Sequence, residues 1–309
     1  MPTCHPPAPV ALFAYMRPEH LRSTVESLRA NAEAAQTPLH VFCDAPKRPE
    51  HAQAVAAVRA YADAITGFAS VQVLKREHNL GLANSIIDGV SRLTAVYGRA
   101  IVVEDDLLLS PHFLRYMNDG LDCYAADAQV ASIHGYSYPV QDQGAGPLPE
   151  TFFLRGADCW GWATWQRSWA HFRPDGAALL QELRAAGLVQ TFDLDGSYPF
   201  TRMLRDQIAG RNDSWAVRWH AACFLAGRLT LYPGRSLVHN IGNDNSGTHS
   251  IARDDYNQRV AQSPVPMLRQ ALQESAAGRA AFIQFFRASR PGPLRQIGRA
   301  AQRLLRAMR

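Results

Sequence analysis

Ala100-Ile101-Val102-Val103-Glu104-Asp105-Asp106 is a short apolar run that ends in three consecutive carboxylates. Four apolar residues without a polar break predict a strand buried on both faces, as strands of a covered parallel sheet are. The segments upstream agree. Val10-Ala11-Leu12-Phe13-Ala14-Tyr15 reads as a first buried strand, and Pro18 then suits the first turn of a helix carrying Leu21, Val25 and Leu28 on one face. Leu39–Cys43 predicts a second strand, residues 50–64 a helix, Val71–Leu74 a third strand, and Gly81–Tyr97 a third helix. Strand–helix alternation at this spacing predicts an α/β fold: a mostly parallel, Rossmann-like sheet with helices on both faces. Such sheets bind ligands beyond the carboxyl ends of their strands. Arg17, Asp44, Lys75–Asn79 and the acidic triplet all fall at those ends and are expected to line one crevice.

Three adjacent carboxylates repel one another unless a cation or hydrogen-bond donors compensate. Carboxylate oxygens beside a phosphate-bearing ligand are a common way of holding Mg2+ or Mn2+. The competing reading is an acidic helix N-terminus, with Leu107–Leu109 leading into the helix. Asp213 has a similar pair of readings. It precedes an apolar-periodic run opening at Ser214-Trp215, so it can be a helix cap or a catalytic carboxylate.

Composition excludes several classes. The 309 residues carry a formal net charge of +5, but eight arginines and no acidic residue lie between Ser275 and Arg309, so residues 1–274 carry a net −3. A nucleic-acid partner is not expected of a body without a basic surplus. The 47% hydrophobic content supports a large core, and no apolar run approaches the ~20 residues of a membrane span. Five scattered cysteines, none in a Cys-x-x-Cys pair, suit reduced thiols in a cytoplasmic protein.

The stretches Phe13-Ala14-Tyr15-Met16-Arg17-Pro18-Glu19-His20, Asn79-Leu80-Gly81-Leu82-Ala83 and Val102-Val103-Glu104-Asp105-Asp106-Leu107, in that order, resemble the nucleotide-sugar half of GT-A glycosyltransferases. The likeness is to the broad family 2 group and also to the N-acetylglucosaminyltransferase I type. Gly210-Arg211-Asn212-Asp213-Ser214-Trp215 with Arg218-Trp219 looks like the downstream catalytic segment of family 2, and Leu231-Tyr232-Pro233 and Leu237-Val238-His239 like its closing strands. The resemblance covers roughly residues 8–250, divided into a nucleotide-sugar half (8–110) and an acceptor half (111–250). Residues 251–309 are then expected as a helical basic tail. It implies Asp106 as the ligand of a Mn2+ or Mg2+ ion on the donor diphosphate, with Glu104 and Asp105 on the ribose and sugar. It implies Asp44 at the nucleobase, Arg17 near the nucleotide, Asn79 and Gly81 shaping the loop beneath it, and Asp213 as the catalytic base. His239 stands where family 2 members often carry a further metal ligand, and His249 is a weaker candidate. The sequence departs from the family pattern at Asn212, where Glu is frequent.

The implied activity is transfer of a sugar from a nucleotide sugar, UDP being the favoured nucleotide, to a glycan or lipid-linked acceptor. Transfer with inversion, in bacterial surface polysaccharide synthesis, is the form expected. A nucleotidyltransferase and a non-catalytic carbohydrate-binding protein are the alternatives, although Ala14-Tyr15-Met16-Arg17 lacks the Gly-rich basic loop of the former. All six tryptophans lie between residues 160 and 219. Trp160 or Trp162 is expected at the acceptor cleft, where indole faces pack on sugar C–H faces, and Trp165 and Trp169 inside. Residues 240–249 form a polar loop suited to closing on the diphosphate. In the tail, Leu294, Ile297, Leu304 and Leu305 adjoin a stripe of arginines, a pattern that serves an anionic membrane surface on the cytoplasmic side or docks on the body.

Overall fold

In the computed structural model the described residues are 5–140, 148–242 and 256–289. The chain builds an eight-stranded mixed sheet with helices on both faces. Its first half alternates as the sequence predicts: β1 (Val10–Ala14), α1 (Pro18–Arg29), β2 (Pro38–Cys43), α2 (Ala52–Asp63), β3 (Ser70–Lys75), α3 (Gly81–Tyr97) and β4 (Arg99–Glu104). These four strands pair in parallel in the order β3-β2-β1-β4.

Alternation along β1 divides the core. Val10, Leu12 and Ala14 face a cluster closed by Leu21, Val25 and Leu28 of α1 and Val58 of α2. Ala11 and Phe13 face the opposite cluster, with Ile86 and Val90 of α3. Each such side chain taken wholly out of water contributes about 1.5–3 kcal/mol. Gly89 brings α3 close to the sheet: a Cβ there would lie 2.6 Å from Phe13 Cζ. The helix ends at Gly98 in the left-handed region at φ 74°, whose N–H closes on Thr94 O.

After β4 comes β5 (Leu107–Leu109), then α4 (Phe113–Cys123) and β6 (Val130–His134). The acidic triplet therefore does not open a helix. Its following residues form a strand because β10 (Val238–Asn240), far away in sequence, pairs with β5 antiparallel. The second half of the main sheet adds β7 (Thr151–Arg155), β8 (Trp162–Trp165) and β9 (Leu229–Pro233) in the order β4-β8-β6-β9-β7. The β4–β8, β8–β6 and β9–β7 pairs are antiparallel and β6–β9 is parallel, so four of the seven pairs in the sheet are parallel.

Four short helices, α5 (Gln166–Trp169), α6 (Gly176–Ala185), α7 (Val189–Phe192) and α8 (Phe200–Ile208), precede α9 (Trp215–Leu225), and α10 (Ala276–Ala288) follows β10. Of the expected tail, residues 256–289 lie against the body. Ala261 N–H bonds Ser236 O, Arg269 pairs with Asp127, and Gly278 of α10 meets the Phe152 ring. Residues 290–309, with the Leu/Arg stripes, and the 243–249 part of the polar loop, with His249, lie outside the described residues. No helix among the described residues is long and apolar enough to cross a membrane.

Candidate functional site

The register of the parallel strands brings the expected residues to one edge. Phe13 pairs with Glu104 across β1–β4, and Ala14 pairs with Cys43 across β1–β2. Arg17, Asp44 and the triplet thus follow three adjacent strands, and with strands ~4.8 Å apart the outer two are about 10 Å from each other.

Arg17 is the organiser of the triplet. Its Nη2 lies 2.6 Å from Asp105 Oδ1 and 2.9 Å from Asp106 Oδ2, with side-chain exposures of 19%, 5% and 15% for the three residues. Asp105 is further fixed by Tyr15 N–H on Oδ2 (3.2 Å) and by the Thr24 hydroxyl on its carbonyl (2.8 Å). Burial works against the Arg17 charge, but Asp105 and Asp106 outweigh it and leave the guanidinium's pKa raised. One guanidinium does not balance three carboxylates. Loss of surrounding water, then the charges of Asp106 and Asp105, push Glu104 up to about 8. Burial raises Asp105 to about 6, with Arg17 opposing and Asp106 adding to the rise. The site is over-supplied with negative charge, which a divalent cation would relieve.

Ile241 N–H donates to Asp106 O at 2.8 Å, extending the β5–β10 pairing that sets His239 opposite Leu108. His239 therefore stands beside the triplet. Burial lowers its pKa, leaving a neutral imidazole of the kind that ligates metals, and its Nδ1 faces Gln258 N–H at 3.4 Å. Among the described residues no three His, Cys, Asp or Glu side chains converge as a metal-ligand group. A carboxylate and a neutral imidazole are donor types that divalent cations accept. Gly242, which the sequence reading did not single out, completes this corner: a Cβ there would fall 2.1 Å from Asp106 Oδ2 and 3.0 Å from Arg17 Nη1. Only a glycine fits so close a backbone approach.

The second group is built on Asp44. Its Oδ1 accepts from Ala45 N and Leu80 N, and its Oδ2 from Gly81 N, all at 2.9 Å. The buried carboxylate ties the end of β2 to the start of α3, where an anion is favoured. Asn79 Nδ2 donates to Ala45 O at 2.7 Å and locks the same loop. Gly81 adopts φ +72°, and a Cβ on it would lie 3.7 Å from Asp213 Oδ2. Asp213 thus reaches the same edge of the sheet from the other half of the chain.

Ser214, not Asp213, caps α9, accepting from Val217 N. Asp213 is 60% exposed, with Arg218 Nη2 3.6 Å away. Asn212, at the position where the family often has Glu, is a turn residue: Oδ1 accepts from Ser214 N and Nδ2 donates to Met203 O. Asp206, a second carboxylate in this region, is held by Arg211.

The tryptophans divide differently from the expectation. Trp162 is fully enclosed, stacked on Trp215 with ring centroids 5.4 Å apart and beside Trp169 and Trp219. It has no open face for the acceptor role expected of Trp160 or Trp162, whereas Trp160 is half-buried and packed edge-on to Tyr136 and Tyr256. Trp165 and Trp169 are buried, as expected of core.

No family model matches the chain, and no curated protein matches it. Among solved structures it is similar to the mannosyltransferase PcManGT of Pyrobaculum calidifontis, solved with GDP-Man and Mn2+ (15% identity, TM-score 0.34, 45% of this chain and 37% of that one). It is also similar to TarS of S. aureus (13%, 0.33, 50% of this chain and 25% of that one). A third is glucosyl-3-phosphoglycerate synthase of Mycobacterium tuberculosis, solved with Mn2+, UDP and glucosyl-3-phosphoglycerate (14%, 0.34, 60% of this chain and 68% of that one). The match thus spans about a third and a quarter of the first two chains.

Proposed function

We propose that the protein is a metal-dependent glycosyltransferase of GT-A type that moves a sugar from a nucleotide-sugar donor, a UDP-sugar by the family resemblance, to a glycan or lipid-linked acceptor. The observation that carries this reading is the Arg17–Asp105–Asp106 cluster at the carboxyl end of β4, with more carboxylate than its one guanidinium balances. Asp106, with His239 beside it, would hold Mn2+ or Mg2+. The ion supplies Lewis-acid stabilisation of the departing diphosphate. Arg17 adds a fixed positive charge at the same place, and Gly242 lets the chain close over it. The Asp44–Gly81 tie keeps the start of α3 in one conformation against the nucleoside, with Glu104 and Asp105 toward ribose and sugar.

Asp213 serves as the base, taking the acceptor hydroxyl's proton as that oxygen attacks the anomeric carbon. Attack from the face opposite the leaving diphosphate inverts the configuration. Its exposure and its freedom from helix capping support that role. A place in surface polysaccharide synthesis, on the cytoplasmic side and with the basic C-terminal segment on an anionic membrane, belongs to the same proposal. Incubating the protein with a panel of nucleotide sugars and Mn2+ tests it. Release of a nucleoside diphosphate from one of them, abolished by Asp106→Ala, is the expected result. Release of pyrophosphate from a nucleoside triphosphate and a sugar phosphate would instead make it a nucleotidyltransferase.

A further inference from the structure

We propose that Asp158, Tyr138 and Trp160 form a subsite for the hydroxyls of an uncharged pyranoside, on the acceptor side of the crevice. Its place in the reaction rests on the sugar-transfer reading, but its existence as a binding site does not.

Asp158 lies in the loop between β7 and β8, which is held from both sides. Gly156, at φ +103°, sits against the His220 ring, where a Cβ would come within 2.4 Å of Cε1, and the Ala157 backbone brackets His220 Nδ1 at 2.7 and 3.1 Å. At the far end of the loop, Gly135 N–H donates to Gly161 O at 2.7 Å, and a Cβ on Gly161 would lie 2.8 Å from Val238 of β10. This strand is the one paired to β5 behind the acidic triplet. Cys159, next to Asp158, registers both neighbourhoods: burial first, then the charges of Asp158 and Glu104, push its thiol up. The loop therefore borders the same crevice.

The carboxylate itself is unusual. It is 21% exposed, and among the described residues no Arg or Lys pairs with it. Its Oδ1 accepts from Cys159 N at 2.8 Å and its Oδ2 from the Tyr138 hydroxyl at 3.2 Å. Behind it stands His134, wholly buried, with neither ring nitrogen hydrogen-bonded among the described residues and Nε2 3.7 Å from Asp158 Oδ2. Buried polar side chains in folded proteins are nearly always paired. This ring's unmet capacity is aimed at Asp158 from a distance too long for a bond. A partly open carboxylate beside a half-buried indole matches what a pyranoside offers: hydroxyl donors at the rim and a flat C–H face. With no Arg or Lys paired to it among the described residues, the same carboxylate repels phosphate or uronate groups. The ligand class is thus a neutral sugar.

Saturation-transfer NMR of the full chain, without nucleotide, tests the site. The probes are methyl α- and β-pyranosides of glucose, galactose, N-acetylglucosamine and rhamnose, with glucose 1-phosphate as the anionic counterpart. At least one methyl glycoside binds the wild type, glucose 1-phosphate does not, and Asp158→Asn and Trp160→Ala each weaken binding tenfold or more. Tyr138→Phe, which removes one hydroxyl and preserves packing, weakens it about threefold. Asp158→Asn is nearly isosteric, and its circular dichroism melt shows that the fold is kept. Two results overturn the proposal: no glycoside binding to the wild type, or equal binding by wild type and Asp158→Asn. Failure of the sugar-transfer reading appears separately, as absence of any nucleotide response, and leaves these titrations readable.

Discussion

Replacing Arg17 by Met removes the one positive charge paired with the triplet among the described residues while keeping much of the side-chain volume. The guanidinium makes short contacts to two largely buried carboxylates, and breaking a buried ion pair by deleting one partner costs about 3–5 kcal/mol. Two features reduce that figure. Arg17 is 19% exposed, so water partly screens it. Asp105, already near 6, can also take up a proton, which at pH 7 costs about 1.4 kcal/mol with Arg17 present and less without it. A net loss of about 2–3 kcal/mol at pH 7 remains, or a fall in Tm of roughly 5 °C for a chain of this size.

The pH dependence has a definite sign. Without Arg17 the folded-state pKa of Asp105 rises further above its unfolded value, and a carboxylate with a raised folded pKa destabilises as pH rises between the two. The deficit of Arg17→Met is therefore small at pH 5 and largest at pH 8. Urea denaturation in EDTA across pH 5–8 measures it. Added Mn2+ is expected to stabilise the variant more than the wild type, because it meets carboxylates no longer engaged by a guanidinium. A variant as stable as wild type at pH 8, or one whose deficit grows on acidification, would refute this electrostatic account.

Asp213→Asn is expected to keep nucleotide binding and lose about 10²–10⁴-fold in kcat, the range for a general base; single-turnover kinetics separate the two effects. Burial among aromatic rings holds His220 down at about 4, against an ordinary 6.5, despite the opposing Ala157 hydrogen bond and Asp158 charge. With its folded pKa depressed, its contribution is complete above ~6.5 and lost as pH falls toward 4, about 3 kcal/mol in all. Urea melts at pH 7 and pH 4 should show the wild type losing that much more than His220→Gln. Gly89→Ala forces a methyl into the Phe13 ring and should cost about 1–3 kcal/mol in denaturation without altering relative affinities for nucleotides. Gly242→Ala, by contrast, presses on Asp106 and Arg17 and should cost nucleotide affinity more than stability, by calorimetry on the same preparations.

What could be read in the sequence follows how local each signal was. The β1–β4 half was legible because β1 and β4 are continuous apolar runs and α1 and α3 each carry an i, i+4, i+7 apolar face. The fate of Leu107–Leu109 was not, since the partner that makes it a strand lies at Val238–Asn240. Trp162, Trp165 and Trp169 are spaced as on a helix, yet the first two lie on β8. An odd separation on a strand sends them to opposite faces, Trp162 into the α3–α9 side and Trp165 into the α1–α4 side. In the site, Arg17 and the triplet were foreseeable as strand-end residues, whereas two of the three N–H bonds that occupy Asp44, from Leu80 and Gly81, depend on where α3 begins. Asp158 carried no motif at all. Its interest comes from His134 and Tyr138, which precede it by some twenty residues and join it only through the β6–β8 pairing.

On the proposed function, the strand-end crevice binds a nucleoside diphosphate through a cation held at Asp106. Isothermal titration of UDP into the full chain, with Mn2+ and with EDTA, for wild type and Asp106→Ala, tests it most directly. Binding to wild type in Mn2+ is expected to fall at least a hundredfold in EDTA and in Asp106→Ala. Binding of UDP that is indifferent to both the cation and Asp106, or no binding of UDP or GDP under any of these conditions, would contradict it.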